Sequence, residues 1–271
     1  SNFKGVTDHD YLRWLETQGQ KAKVDVSRDG WLWDIRELHH ARAPGNTCLS
    51  ALLAKNRFGE LASNDSKGCG GVMRVAPVGM YMWHRKDSDA SLRAFDLGAE
   101  LAGLTHGHPS GQWPAGVFAV LVMRALDGVP LRDALPEAKA ILRTKNRHEE
   151  TLAAIEAAEA QALSGQTPTA QQIKQLGGGW VAEEALSIAL YCALVADNPE
   201  AGIVLAVNHG GDSDSTGSIA GNLLGAMHGE QAIPQRWRQS IELHDVITTM
   251  ATDLYEYPDW TISEYDSGAE N

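Results

Sequence analysis

Apolar residues along this chain recur at three- and four-residue spacings, and hardly anywhere in alternation, so the pattern predicts helices. Tyr11, Leu12, Trp14 and Leu15 mark an early one. A Pro44-Gly45-Asn46 turn opens a short buried helix over Thr47 to Leu53. Leu92 to Leu104 is another candidate, and the almost wholly apolar Val117 to Leu126, bounded by Pro114 and Gly128, predicts a central helix. Glu149 to Leu163 is alanine-rich with acids on one side, an exposed amphipathic helix. Glu183 to Ala196 is apolar all round, as a buried helix should be. Ser218 to Met227 predicts a short helix with Gly217, Gly221 and Gly225 on one face. That stripe predicts a closely approaching backbone, at a helix-propensity cost of about 1 kcal/mol per glycine. Val72 to Val78 has a strand-like composition, but Pro77 interrupts it. Ser164 to Gly179 is polar and glycine-rich and predicts a surface loop; the acidic, aromatic stretch Tyr255 to Asn271 predicts a frayed end. With no repeat and no long linker, the pattern predicts one all-α domain over residues 1–271.

The 43% of hydrophobic residues is enough for a sizeable core, so composition adds little to that picture. Charge changes it more. A net charge of -12 argues against a nucleic-acid binder and against docking on an anionic membrane. A phosphate ligand would need local neutralisation by backbone amides or a metal. The three cysteines, Cys48, Cys69 and Cys192, are too few and scattered for a disulfide framework; they fit a reducing cytoplasm. No signal peptide or apolar run of membrane-spanning length is visible.

Four segments carry candidate chemistry. In His209-Gly210-Gly211-Asp212-Ser213-Asp214-Ser215-Thr216-Gly217, two carboxylates and a neighbouring hydroxyl offer hard oxygen ligands, suited to Mg²⁺, Mn²⁺ or Ca²⁺ rather than zinc. An EF-hand loop starting at Asp212 would need Glu where Leu223 stands, which excludes that motif. The same cluster also reads as an N-cap for the helix that follows. In Ser66-Lys67-Gly68-Cys69-Gly70-Gly71-Val72-Met73-Arg74, three glycines expose backbone N–H groups to an anion such as a pyrophosphate, or simply make a tight turn. It is neither a P-loop nor a dinucleotide fingerprint. His106, in Thr105-His106-Gly107-His108, either hydrogen-bonds a substrate or ends a helix. Gly177-Gly178-Gly179-Trp180 either admits a planar ring against Trp180 or is merely flexible.

In this order these stretches resemble the ADP-ribosylglycohydrolase family, which includes the dinitrogenase-reductase-activating glycohydrolases. The resemblance also takes in Tyr11 to Gln18, Asn46 to Leu52 and Val181 to Ala185, and runs from about residue 10 to about residue 230. It implies an all-α fold with two Mg²⁺ ions, Mn²⁺ being an alternative. Asp212, Asp214 and Ser215 match the family's second ligand cluster, with Ser215 standing where many members carry Thr. Ser66, Lys67, Gly68, Cys69 and Gly70 match the part that wraps the phosphates and distal ribose of ADP-ribose; Met73 belongs to the same segment. His106 matches a histidine lining that site, and Gly177, Gly179 and Trp180 match the region near the adenosine end. The family's earlier glutamate and Thr-Asp-Asp-Thr metal cluster have no counterpart here. Thr7-Asp8-His9-Asp10 is superficially similar but lies too close to Trp14, so the first cluster is expected upstream of Ser1.

The implied activity is hydrolysis of the bond linking ADP-ribose to a modified protein side chain, arginine first, through an oxocarbenium-like transition state. The partners would be an ADP-ribosylated protein and ADP-ribose. The main acid or base is expected in the upstream segment, with Asp65 as a substitute within the chain. Two rivals are a relative that binds ADP-ribose or blocks an ADP-ribosylating toxin by contact without turnover, and a purely structural helical protein whose Asp212 cluster is a cap.

Overall fold

In a computed structural model, which describes residues 3–259, the chain is built from thirteen α-helices, and no strand occurs among the described residues. They are α1 (Phe3–Thr17), α2 (Asn46–Ala54), α3 (Ala76–Trp83), α4 (Ala90–Gly103), α5 (Pro109–Leu126), α6 (Leu131–Arg143), α7 (Glu149–Leu163), α8 (Ala170–Lys174), α9 (Ala182–Val195), α10 (Pro199–Val207), α11 (Ser213–His228), α12 (Gln235–Arg238) and α13 (His244–Glu256). The all-α expectation holds.

Helix α5 is the hub. Every residue from Pro114 to Met123 is buried, and α3, α4, α6, α7, α9 and α11 all pack on it. Its apolar surface all round leaves it no other stable place. Pro114 does not bound the helix as the sequence suggested. The helix runs through it, giving up one intrahelical hydrogen bond, because the buried faces on both sides outweigh that loss. The α4–α5 contact is backbone-close: a Cβ at Gly116 would meet the Phe95 carbonyl oxygen at 2.8 Å, and one at Gly98 the Ala115 carbonyl oxygen at 2.8 Å. A smaller cluster, Leu12, Leu15, Ala22, Val26 and Leu52, joins α1 to α2.

Other expectations shift for local reasons. Val72 to Val78 is no strand: Val72–Arg74 forms a 3-10 turn and α3 follows, with Pro77 in its first turn, where a missing N–H costs nothing. The segment from Ser164 to Gly179 contains α8, capped by the Thr169 hydroxyl accepting from the Gln172 amide at 3.3 Å. Helix α11 begins five residues before the predicted start. Its glycine stripe is crowded only at Gly217, where an added Cβ would meet the Val207 side chain at 2.5 Å; at Gly225 nothing lies within 4 Å. The amphipathic α6 and the short α10 went unpredicted. Of the predicted frayed end, residues 260–271 lie outside the described part, whereas Tyr255 and Glu256 finish α13.

Candidate active site

Three segments far apart in sequence meet at one place. The stretch Ser66–Gly71 runs between α2 and α3. The glycines Gly177 to Gly179 lead into α9, and His209 to Asp212 lead into α11. The middle segment binds the other two through backbone. The amide of Cys69 donates to the Trp180 carbonyl at 3.2 Å, and that of Ala182 to the Lys67 carbonyl at 2.8 Å. On the other side the Asp212 amide donates to the Gly178 carbonyl at 2.8 Å. Only glycine fits that crossing, since a Cβ at Gly211 would meet the Gly178 oxygen at 2.1 Å.

Side chains repeat the convergence. The Cys69 thiol donates to Asp212 Oδ2 at 2.8 Å and lies 3.4 Å from Ser215 Oγ. Ser215 Oγ in turn donates to Met73 Sδ at 3.4 Å. Burial, with Asp212 alongside, pushes the Cys69 thiol up to about 12, so it remains a thiol and a donor near neutral pH. The Asp212 carboxyl is held above the usual range by burial and by Asp214, whereas hydrogen bonding to Asp212 holds Asp214 below it. Two neighbouring carboxylates that shift one another this way form a place where a cation would relieve their repulsion. The capping reading looked to Asp214, Ser215 or Thr216; these lie inside α11, whose N-cap position is Asp212, and Asp212 makes no side-chain capping bond.

The donor set of Asp212, Asp214 and Ser215 is all oxygen and fits a hard divalent ion such as Mg²⁺. It is a partial shell: among the described residues no group of three or more His, Cys, Asp and Glu side chains gathers to hold a metal. Asp8 is not available to complete it. It is buried against Lys55 at 3.0 Å and accepts from the Gly59 amide at 2.8 Å.

The remaining predicted residues surround this centre unevenly. Ser66 Oγ accepts from the Gly68 amide at 3.2 Å and lies 3.2 Å from Thr47 Oγ1. Among the described residues no hydrogen bond engages the Gly70 amide. His106 is buried beneath the glycines, its Nε2 3.2 Å from where a Gly68 Cβ would be. Trp180 is 65% exposed and presents its ring at the rim. Lys67 turns away and pairs with Glu150 at 2.6 Å. Asp65 is exposed at the head of the segment, and its charge acts on Lys67 and His108. A cavity of about 540 Å³ lined by Trp14, Trp31 and Trp33 contains none of these residues. Its arginines are already paired, Arg13 with Asp10 and Asp29 and Arg42 with Glu242.

Sequence reasoning gave no role to Glu184, Glu183 or His209. Glu184 Oε2 accepts from the Gly178 and Gly179 amides at 2.9 and 3.1 Å, so it holds the glycines in place. Its position in the first turn of α9 was the available signal. Glu183 is 3.9 Å from Lys67, its Oε2 is buried without a hydrogen bond, and burial raises its carboxyl. His209 Nδ1 accepts from the Gly211 amide at 3.2 Å, which leaves Nε2 to donate to Thr216 Oγ1 at 2.9 Å and fixes the turn before Asp212. Glu184→Ala should strand two amides, lower stability by about 1–3 kcal/mol in urea denaturation, and weaken ligand binding; Glu184→Gln, which keeps an acceptor, should lose less. Equal losses in both variants would deny Glu184 this acceptor role.

The family model described as ADP-ribosylglycohydrolase matches residues 3–262. A protein of Archaeoglobus fulgidus is 29% identical over 83% of this chain and 70% of its own length. The human ADP-ribosylhydrolase ARH3 is 27% identical over 70% of this chain, and the match spans 58% of that protein. A solved structure titled ADP-ribosylglycohydrolase-related protein complex superposes with a TM-score of 0.63 at 26% identity, covering 93% of this chain and 80% of its own. The chain belongs to the ADP-ribosylglycohydrolase family.

Proposed function

We propose that the chain is a magnesium-dependent hydrolase that removes ADP-ribose from a modified protein side chain, arginine being the favoured attachment. The observation that carries this reading is the meeting of the glycine segment with the carboxylate cluster, through Cys69 and Asp212 at 2.8 Å. A phosphate-sized anion and a hard cation would be neighbours there.

Asp212, Asp214 and Ser215 would hold the metal, which when bound supplies Lewis acidity and orients the ribose hydroxyls and water. The uncommitted Gly70 amide and the turn around it would bind the pyrophosphate, so that binding energy far from the scissile bond positions the reacting ribose. The exposed Trp180 ring would close over the adenosine end. The Asp212–Asp214 pair places negative charge where an oxocarbenium-like centre forms. Asp65 is the acid–base candidate within the chain, in the absence of a closer carboxylate assigned to that step.

One observation favours a second reading, a binder without turnover: the described residues gather two carboxylates and one hydroxyl rather than a full metal shell. Titration calorimetry with ADP-ribose, in Mg²⁺ and then in EDTA, tests what both readings share. Saturable binding that weakens in EDTA is expected. No binding in either condition would remove ADP-ribose as the ligand.

A further inference from the structure

We propose that the hollow formed by Trp14, Trp31 and Trp33 is a docking site for the modified protein, where an unmodified arginine or lysine side chain seats a few residues away from the one that carries ADP-ribose. This inference rests on reading the chain as a hydrolase of ADP-ribosylated proteins.

The hollow is built in advance of any partner. Trp14 stands on α1 and packs against the cluster that includes Leu12, Leu15 and Leu52. Trp31 and Trp33 sit on the turn after Gly30, where the Trp33 amide donates to the Gly30 carbonyl at 3.0 Å. Arg13, the neighbour of Trp14, pins that turn: its Nη1 donates to the Asp29 carbonyl and, at 3.1 Å, to Asp29 Oδ1. The Trp33 ring meets the His39 ring edge-on, with centroids 4.9 Å apart. Rings held this way lose little freedom when a partner arrives. The volume of about 540 Å³ is that of a ligand-sized site.

The lining selects a cation. An indole presents a negative ring face, and tryptophan attracts cations more strongly than the other aromatic side chains. Asp10 and Asp29 line the same hollow and share the single guanidinium of Arg13, so one negative charge is left over. Arg42 is offset by Glu242. The field of a chain with net charge -12 draws a basic segment in the same direction. Among the described residues none of the three indole N–H groups donates to the protein, whereas those of Trp83 and Trp113 reach Asp127 and the Asn146 carbonyl. Uncommitted indole donors at an open surface suit the backbone carbonyls of a bound peptide.

Position ties the hollow to the candidate active site. Pro44 lines it, and three residues further on Thr47 Oγ1 lies 3.2 Å from Ser66 Oγ of the glycine segment. Three residues of chain span at most about 11 Å. A target whose modified side chain enters the site therefore brings residues a few positions away within reach of the three indoles.

The test begins with the wild-type chain and needs no variant. Fluorescence anisotropy compares a labelled, unmodified arginine-containing peptide with the same peptide carrying citrulline, which keeps the shape and loses the charge. Saturable binding of the arginine peptide, about tenfold tighter than that of the citrulline peptide, is expected. Equal affinities overturn the proposal. Trp31, 45% exposed, can be changed with little disturbance to the core. Trp31→Ala is expected to weaken the arginine peptide about tenfold and Trp31→Phe, which keeps a ring face, to recover most of it. An unchanged affinity in Trp31→Ala overturns the site. So does self-association of the wild-type chain that Trp31→Ala abolishes, since the occupant would then be a second copy. With ADP-ribosylated peptides as substrates, arginine beside the modified residue is expected to give a KM about tenfold lower than glutamate does, at similar kcat; equal KM values overturn the proposal. If the unmodified peptide binds as expected and no ADP-ribosylated peptide is hydrolysed, it is the hydrolase reading that fails.

Discussion

Replacing both Asp212 and Asp214 by alanine is expected to lower ADP-ribose release by about a hundredfold or more, while unfolding free energy changes by less than about 1 kcal/mol. The first half follows from the charge these carboxylates would place, with their metal, beside the reacting ribose. The second follows from what they do not do. Asp212 makes no capping bond to α11, whose first turn is held instead by Thr216, its hydroxyl donating to the Ala206 and Asp212 carbonyls at 2.7 and 3.0 Å. The pair is also mutually unfavourable, since Asp214 raises the Asp212 carboxyl. Turnover measured beside urea denaturation separates the possibilities. A loss of about 1–2 kcal/mol with turnover intact would mean that the cluster is a cap after all.

Lys55→Met is expected to cost about 3–5 kcal/mol, the largest stability effect of any single change considered, because it leaves Asp8 buried without its cation. Asp8 is 0% exposed and Lys55 3%, and burial already raises the Asp8 carboxyl. An acid whose folded-state pKa is raised favours the folded state at low pH and loses that advantage as the pH rises. The deficit of Lys55→Met should therefore shrink in acid and grow towards neutrality. Adding Asp8→Asn should recover most of it, whereas simple additivity of the two single losses would show that the pair is not coupled. The pair fastens α1 to the turn at Gly59, shortly before the glycine segment, so a structural role accounts for the acid in Thr7-Asp8-His9-Asp10.

How far the sequence could be read depended on how local each cause was. The helices over Glu149–Leu163 and Ala182–Val195 follow from spacing and composition, and the structure places them within a residue of expectation. Pro114 misled because its local cost is offset by a core that only the assembled helices create. The carboxylate cluster and the glycine segment were legible because each gathers its chemistry within nine residues of chain. Glu184 was not, and neither was the hollow where Trp14 of α1 meets Trp31 and Trp33 of a segment outside any helix. The contact of Cys69 with Asp212 spans 143 residues, so only the fold could show that the two motifs form one site.

The most direct measurement is release of ADP-ribose from an arginine-ADP-ribosylated protein by this chain, followed in Mg²⁺ and in EDTA. Release that depends on Mg²⁺ and disappears in Asp212→Ala is the expected result. Release that persists unchanged in EDTA, or in Asp212→Ala, would contradict the assignment of Asp212 and Asp214 to the reacting centre.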